Sequence, residues 1–417
     1  MNAAEFLLIM NDNIVITIGA FLINFIVFYP FYHHRIKGLL DPLLFTIIMG
    51  ACANVVPTIL VITNNIETKH FIFFICSEFL FWFIYYIKTR NADKLFTNIQ
   101  IQATPVNELG LFYICFILYL SFTLYNYKIN GIPLFNTNRF EINVDNSSGI
   151  MGFLGRFSST FQLYVIMYLI HAIYLKKTRK FAIYIAITLI FCIFSGSKGF
   201  ILNFIQAYFF YSVFFRAKTP KISKKMLCII ILSPVVTILL AAYASTFMGS
   251  IGYLGYRLLA NGDIYWNGFG NAVADNIKID SPILNMTYMF WGPFRHILGI
   301  EVNPTTMTTI GSLVFEQASG FFPEAGAPNS RLSMLSWIDY KWGGLLMSAF
   351  FGYIAASMYK YCYRRRSKTI GEVCIKSLIF SASLCFISDV YLGFNSLFGI
   401  IPFAIMYYGY HSLQLKK

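Results

Sequence analysis

Apolar runs of membrane-spanning length recur from one end of the chain to the other, and this feature restricts its possible folds more than any other. About 20 apolar residues suffice to cross the hydrocarbon core of a bilayer. Hydrophobic residues make up 57% of the 417 positions and charged residues 12%, a composition outside the soluble globular range. We therefore expect an all-α polytopic integral membrane protein, a single membrane domain over residues 1–417 with about 11 transmembrane helices (range 10–13). The predicted spans are 13–32, 39–63, 70–87, 108–127, 152–175, 181–195, 200–215, 226–247, 335–359, 373–390 and 394–412.

The basic residues indicate how these spans are oriented. Lys and Arg collect in the cytoplasmic loops of membrane proteins. Here the basic clusters follow alternate predicted spans, at 35–37, 88–94, 176–180, 216–225, 360–368 and 416–417. Placing these clusters inside puts the N-terminus outside and the C-terminus inside. Because topology then accounts for the net charge of +14, we expect membrane lipids and no nucleic acid as partners.

Two of the loops predicted to lie outside are long, at 128–151 and 248–334. Loops of this length usually carry function. The second contains Gly and Pro punctuation and short apolar pieces, so we expect it to be folded, with short helices along the membrane surface. The eight cysteines show neither paired spacing nor a histidine-rich grouping, so the sequence predicts no metal site and no disulfide framework.

Basic residues on the predicted outer side oppose the charge bias and therefore need a reason. For each one alone, a solvated or headgroup-directed side chain is the alternative. Arginine, however, has a planar fork that suits phosphate, and its charge cannot be titrated away. As a group, these residues predict binding of a lipid-linked phosphate or pyrophosphate. The candidate binding residues are Arg139, Lys198, Arg257, Arg295, His296 and Arg331.

Lys198 stands out because of its setting in "FSGSKGF", residues 194–200. Glycines on both sides permit a tight turn with outward-pointing amides, and a helix that begins near position 200 would favour an anion at its N-terminus. An ordinary polar turn is the alternative. A lysine at the membrane boundary is costly, which favours a functional role. For His296 a purely structural role in the loop is also open.

Two outer carboxylates are candidates for the general base of a reaction at a hydroxyl group. Asp263 lies beside Tyr265 and Trp266, whose ring faces would contact sugars. Glu324 lies in a Pro- and Gly-shaped turn seven residues before Arg331. The sequence leaves the choice between the two open. A third acid, Glu78, lies within a span and should face other helices, either as a packing hydrogen bond or as part of a proton pathway.

Three motifs resemble a known family, the O-antigen (oligosaccharide repeat-unit) polymerases of the Wzy type. They are "NGIPLFNTNRFEINVDNSSG" at 130–149, "FSGSKG" at 194–199 and "NSRLSMLSWIDYKWGGLLMSAFFGY" at 329–353. Some members of that family also carry an arginine, ten residues and a glycine in each large loop. The second loop matches, with Arg257 and Gly268. The first departs, since nine residues separate Arg139 from Gly149.

The resemblance implies a glycosyltransferase of GT-C-like architecture in the bacterial cytoplasmic (inner) membrane. It would polymerise undecaprenyl-pyrophosphate-linked oligosaccharide repeat units on the outer face, for O-antigen lipopolysaccharide or for capsule or exopolysaccharide. It would need no metal and no cofactor. The sequence leaves two alternatives open: a ligase-type transferase and a flippase or other transporter for the lipid-linked oligosaccharide. It also leaves open the sugars, the linkage and whether a chain-length regulator binds.

Overall fold

The computed structural model describes residues 3–92, 108–135, 149–195, 200–220, 258–294, 299, 304–323 and 327–415. Regular structure in these residues is entirely helical. The helices α1 to α8 are Ala3–Asp12, Ile14–Tyr32, Pro42–Ile62, Thr68–Thr89, Leu109–Asn130, Gly149–Tyr174, Thr178–Phe194 and Phe200–Phe210. The helices α9 to α15 are Asp263–Gly268, Pro282–Trp291, Ile310–Ser319, Leu332–Tyr340, Gly344–Tyr363, Ile370–Ser388 and Val390–Leu415.

Within the described chain, seven helical segments are long and apolar enough to cross a membrane. They overlap α2, α3, α4, α5, α6, α14 and α15. This confirms the predicted class, a polytopic helical membrane protein. The predicted spans at 181–195 and 200–215 correspond to the shorter α7 and α8, of which α8 continues as a π-helical turn over Tyr211–Phe215. The span predicted at 226–247 lies outside the described residues, so the full number of spans stays a prediction.

The prediction of one continuous span at 335–359 is wrong. The helix is interrupted between α12 and α13, where Lys341 has a positive φ of 49°. Gly344 then lies so close to α12 that a Cβ atom there would be 2.2 Å from the carbonyl oxygen of Ser336. The apolar pattern runs through both helices and does not mark the break, because the turn depends on this close backbone contact.

Local signals fix where several helices begin. Asp41 caps α3 by accepting a 2.9 Å hydrogen bond from the backbone of Leu43, and Pro42 at the first position has no amide to leave unpaired. Thr369 caps α14 by accepting a 3.1 Å bond from the backbone of Glu372. These caps give the helix ends their hydrogen bonds before tertiary packing adds to them.

The long helices pack along one another in a bundle. Helix α4 packs along α13, which packs against α14, while α14 packs against α15 and α5 against α6. Close approach of α4 and α13 depends on Gly352, where a Cβ atom would lie 2.6 Å from the carbonyl oxygen of Phe81. A buried hydroxyl pair, Ser77 and Ser348 at 2.7 Å, joins the same two helices. Small and hydroxyl residues of this kind are what helix interfaces in membranes use.

The predicted outer loop 248–334 contains helices α9, α10 and α11 among its described residues, so the expectation that it folds into short helices is confirmed. These helices pack against the bundle. Helix α9 contacts α3 and α11, and α10 contacts α15. The turn before α9 touches α3 directly, because a Cβ atom on Gly262 would lie 2.3 Å from the carbonyl oxygen of Ala53. The loop thereby brings polar residues into contact with the bundle.

Candidate functional site

Polar side chains from four parts of the chain meet inside the bundle. They are Asn54 on α3, Glu78 on α4, Tyr265 on α9, and Arg331 and Ser333 at the start of α12, and we call these five residues the polar centre. All five are buried, and Arg331 is only 2% exposed. The guanidinium Nη2 of Arg331 lies 3.6 Å from Glu78 Oε1 and donates a 3.2 Å hydrogen bond to Asn54 Oδ1.

The position of Glu78 explains why Arg331 is buried in the bundle. Glu78 lies near the middle of α4, where a carboxylate without a partner would be very costly. The prediction that it faces other helices is confirmed, since it is 1% exposed. Arg331 supplies the opposite charge from a segment that is distant in sequence. A roughly 20 Å³ cavity, large enough for about one water molecule, borders Glu78, Asn54 and Arg331.

Helix α9 lies against the segment 329–333, which leads into α12 and forms its start. The hydroxyl groups of Tyr265 and Ser333 are 2.6 Å apart. The carboxylate of Asp263 accepts a hydrogen bond from the backbone of Asn329. The structure therefore brings together two of the segments that the sequence singled out, the one around Asp263 and the one that contains Arg331.

Asp263 is a carboxylate in this region whose protonation suits chemistry near neutral pH. It is half-buried, and its Oδ1 atom has no hydrogen-bond partner among the described residues. Burial raises the pKa of Asp263 to about 7, although backbone amides, including that of Asn329, counteract part of the rise. A carboxylate with such a pKa can accept a proton and later release it at physiological pH.

Asp389 fixes the segment that leads into Arg331. It lies at the junction of α14 and α15, where its Oδ2 atom accepts a 3.2 Å hydrogen bond from the backbone of Ser330. Its Oδ1 atom accepts a 2.9 Å bond from the backbone of Tyr391. The hydroxyl of Ser330 in turn accepts a 2.9 Å bond from the backbone of Gly311 on α11. Three elements thus determine where the chain places Arg331.

A second, more exposed network ties the folded loop to the ends of α4 and α12. Its centre is Asp275, which is 2.9 Å from Lys69 Nζ and 3.5 Å from Lys341 Nζ, and accepts a 2.7 Å hydrogen bond from the indole of Trp337. Burial acts to raise the pKa of Asp275, but hydrogen bonds from Lys69 and Trp337 outweigh it and lower the pKa. The network therefore keeps a charged carboxylate at this point of attachment.

Two of the predicted roles need correction. Tyr265 and Trp266 were expected to present open ring faces to sugars, but both rings are buried. Trp266 stacks on Phe6 of α1 with ring centroids 4.6 Å apart, because α1 covers α9. Arg331 was expected among the outward-facing cations, and it is instead paired with Glu78. For the two rings, burying a large apolar surface is more favourable than exposing it to solvent. For Arg331, pairing with the opposite charge of Glu78 is more favourable than facing outward.

The remaining predicted site residues lie outside the described residues and stay predictions: Arg139, Lys198, Arg257, Arg295, His296 and Glu324. Conversely, sequence reasoning gave no role to Asn54 or Ser333. The only signal for Asn54 is an amide within an apolar span, in "GACANVVP". Nothing local pairs it with an arginine far away in the chain.

Comparisons with protein-family models, with curated proteins and with solved structures found no match. The case for a function therefore rests on the residues themselves and on their arrangement. The arrangement is a buried ion pair near the middle of a span, together with a half-buried carboxylate that has a pKa near neutrality and is hydrogen-bonded to the backbone two residues before Arg331.

Proposed function

We propose that this protein is a membrane glycosyltransferase that polymerises undecaprenyl-pyrophosphate-linked oligosaccharide repeat units. It would act at the outer face of a bacterial cytoplasmic membrane and would have a GT-C-like architecture. The proposal joins the resemblance of three sequence motifs to the position of Asp263. The product would be O-antigen, capsule or another exported polysaccharide.

The contact between Asp263 and the 329–333 segment is the observation that carries the proposal. That segment begins the third family-like motif, and Asp263 is one of the two candidate bases that the sequence offers. The two are far apart in the chain and meet beside the polar centre. A base that is held by backbone amides and has a pKa of about 7 is suited to receive a proton from a substrate hydroxyl.

In the proposed reaction, the terminal sugar of an incoming lipid-linked unit supplies the attacking hydroxyl. Its oxygen bonds to the anomeric carbon of the growing chain while its proton passes to the carboxylate of Asp263. The bond between that carbon and the pyrophosphate breaks, and undecaprenyl pyrophosphate leaves with the bonding electrons. The leaving group gains negative charge, which fixed cations would stabilise.

The charged residues divide into two roles under this proposal. Arg331 is a positioning residue, because its guanidinium is occupied by Glu78 and Asn54. The predicted ligands of the pyrophosphate are then Arg139, Lys198, Arg257, Arg295 and His296. Glu324 remains the alternative base. Removing one preorganised donor of charge-stabilising hydrogen bonds typically costs about 10²–10³ in rate.

The test uses purified protein, authentic undecaprenyl-pyrophosphate-linked repeat units and a metal chelator, with products resolved by length. We expect the wild type to produce a ladder in the presence of chelator. Asp263→Asn should slow its formation by about 10²–10⁴, the usual contribution of a general base. Asp280→Asn is the matched control, an exposed aspartate in the same folded loop, and should leave the ladder unchanged.

The possible failures of this test are distinguishable. No ladder from the wild type with an authentic unit would overturn the polymerase proposal. A ladder that Asp263→Asn does not slow would retain the polymerase and remove Asp263 as its base, and Glu324→Gln would then be the next variant. Transfer of a finished chain onto an acceptor other than a lipid-linked repeat unit would indicate the ligase-type transferase.

One observation favours a second candidate, a proton-coupled flippase for the same lipid-linked oligosaccharide. The Glu78–Arg331 pair lies near the middle of α4, and ionisable residues at such depth often belong to transport pathways. In proteoliposomes, a flippase would move the lipid-linked unit across the bilayer in response to a pH gradient, and Glu78→Gln would abolish that response. A polymerase would show neither effect.

A further inference from the structure

A cavity of about 240 Å³ lies at the opposite end of α14 from Asp389. It is bounded by the starts of α5, α7 and α14, the end of α6 and the end of the π-helical turn. The charge pattern of the sequence assigns this face of the bundle to the cytoplasm. The cavity is therefore separate from the polar centre and from the proposed outer-face chemistry.

Three lysines line this cavity from two separate parts of the chain. Lys177 and Lys180 flank the start of α7, and Lys368 precedes α14. All three are exposed, and none forms an ion pair with a carboxylate in the described part of the chain. Convergence on one cavity goes beyond the charge bias that orients membrane proteins, because that bias requires only that the lysines lie on one side.

One carboxylate, that of Glu108, also lines the cavity, and it is already occupied. Glu108 is 3% exposed and accepts hydrogen bonds of 2.8 Å and 3.1 Å from the backbone amides of Ile370 and Gly371 at the start of α14. Its negative charge is therefore compensated by the amides at the start of α14. The balance of charge in the cavity stays positive.

The rest of the lining is apolar or aromatic. Tyr168, Phe181 and Phe215 form part of the wall beside the lysines. A ligand that fits would therefore have an anionic group for the lysines and a less polar part to contact the rings. Lysine is a compact point charge that binds phosphate well.

We propose that this cavity binds the phosphate group of an anionic ligand. A phospholipid headgroup and a soluble phosphate ester share that chemistry. Basic pockets between helices on the cytoplasmic side are a recognised way of holding anionic lipid headgroups. The site does not depend on the proposed function, since it lies on the opposite face of the bundle.

The test compares two triple variants of the full chain in nanodiscs. In the first, Lys177→Gln, Lys180→Gln and Lys368→Gln remove the cavity lysines. In the second, Lys88→Gln, Lys360→Gln and Arg364→Gln remove the same charge from basic residues that line a different groove. The probes are phosphatidylglycerol in a phosphatidylcholine bilayer, counted by native mass spectrometry after release, and glycerol 3-phosphate in solution.

We expect the cavity variant to bind at least one of the two probes on the order of 100-fold more weakly, from roughly fivefold for each lysine. The control variant should stay within about fivefold of the wild type. If only phosphatidylglycerol binding is lost, the natural ligand is a lipid headgroup. If glycerol 3-phosphate binding is lost, the natural ligand is a soluble phosphate ester. Equal loss in both variants, or no loss in the cavity variant, would overturn the proposal. An unchanged thermal unfolding midpoint confirms that each variant is folded. If the cavity triple variant does not fold, Lys177→Gln alone replaces it.

Discussion

Replacing Arg331 with methionine removes the partner of Glu78 while nearly preserving side-chain volume. The carboxylate of Glu78 then remains buried near the middle of α4 without its cation. At the observed 3.6 Å, two unit charges interact by about 4–5 kcal/mol at an effective dielectric constant of 20. Breaking buried ion pairs by removing one partner costs about 3–5 kcal/mol in other proteins. We therefore expect Arg331→Met and Glu78→Gln each to lower the free energy of unfolding by about 3–5 kcal/mol.

The double variant decides whether the loss comes from the pair. With both charges gone, no uncompensated charge remains inside the bundle, so Glu78→Gln with Arg331→Met should cost no more than either single change. The assay is unfolding of the purified protein in mixed micelles by increasing SDS, which gives a free energy for each variant. An exposed ion pair is the comparison for the buried one, because exposed ion pairs contribute only about 0–1 kcal/mol to the free energy of unfolding.

The chain contains a matched control pair. Arg365 and Glu372 are 3.5 Å apart, close to the distance in the buried pair, but Arg365 is 57% exposed. Arg365→Met and Glu372→Gln should each cost less than about 1 kcal/mol. The reasoning is refuted if substitutions in the exposed pair lower the free energy of unfolding as much as those in the buried pair. It is also refuted if the Glu78 and Arg331 double variant loses as much as the sum of its two single variants.

Three further predictions concern the contacts that position the folded loop. Gly262→Ala should cost about 1–3 kcal/mol in the same SDS assay, because its Cβ atom would lie 2.3 Å from the carbonyl oxygen of Ala53; Gly19→Ala, with open space around it, should be neutral or stabilising, and equal effects would contradict the proposed contact. Asp275→Asn should cost roughly 1 kcal/mol at pH 7, since the lowered pKa of Asp275 gives stability above its ordinary value of 3.8 that is lost as pH falls through the folded value. A penalty that does not shrink in acid would count against its ion pairs. For Asp263 the sign is reversed: its pKa is raised to about 7 by burial, so its contribution is fully present below pH 3.8 and is lost as pH rises through 7. Unfolding midpoints at pH 5 and pH 8 should therefore differ less in Asp263→Asn than in the wild type, and an identical difference would show that the carboxylate is not buried.

Much of the fold could be predicted from the sequence because a helix that spans a bilayer must be long and apolar. A helix such as α3 needs a long apolar run, and Asp41 and Pro42 mark where it begins. The break at Lys341 could not be predicted, since the apolar pattern continues through it. It depends on a backbone contact between Gly344 and Ser336 that only the folded chain makes.

The candidate site was harder to predict because its partners are distant in sequence. The sequence correctly predicted that Glu78 faces other helices, and it selected Arg331, but as an outward-facing cation. Only the packing of the 329–333 segment against α3 and α4 reveals that the two residues form a pair. The rings of Tyr265 and Trp266 were misjudged for a similar reason. An aromatic residue in a polar loop is expected to be accessible until another helix, here α1, is seen to cover it.

The most direct measurement is the number of undecaprenyl pyrophosphate molecules released for each bond that the purified protein forms between repeat units. The account predicts a ratio of one, because every transfer of a growing chain separates it from its lipid carrier. A transporter would release none while the lipid-linked unit stayed intact. Release of one carrier for a whole finished chain, without bonds between repeat units, would indicate a ligase. Either of these results would contradict the central claim.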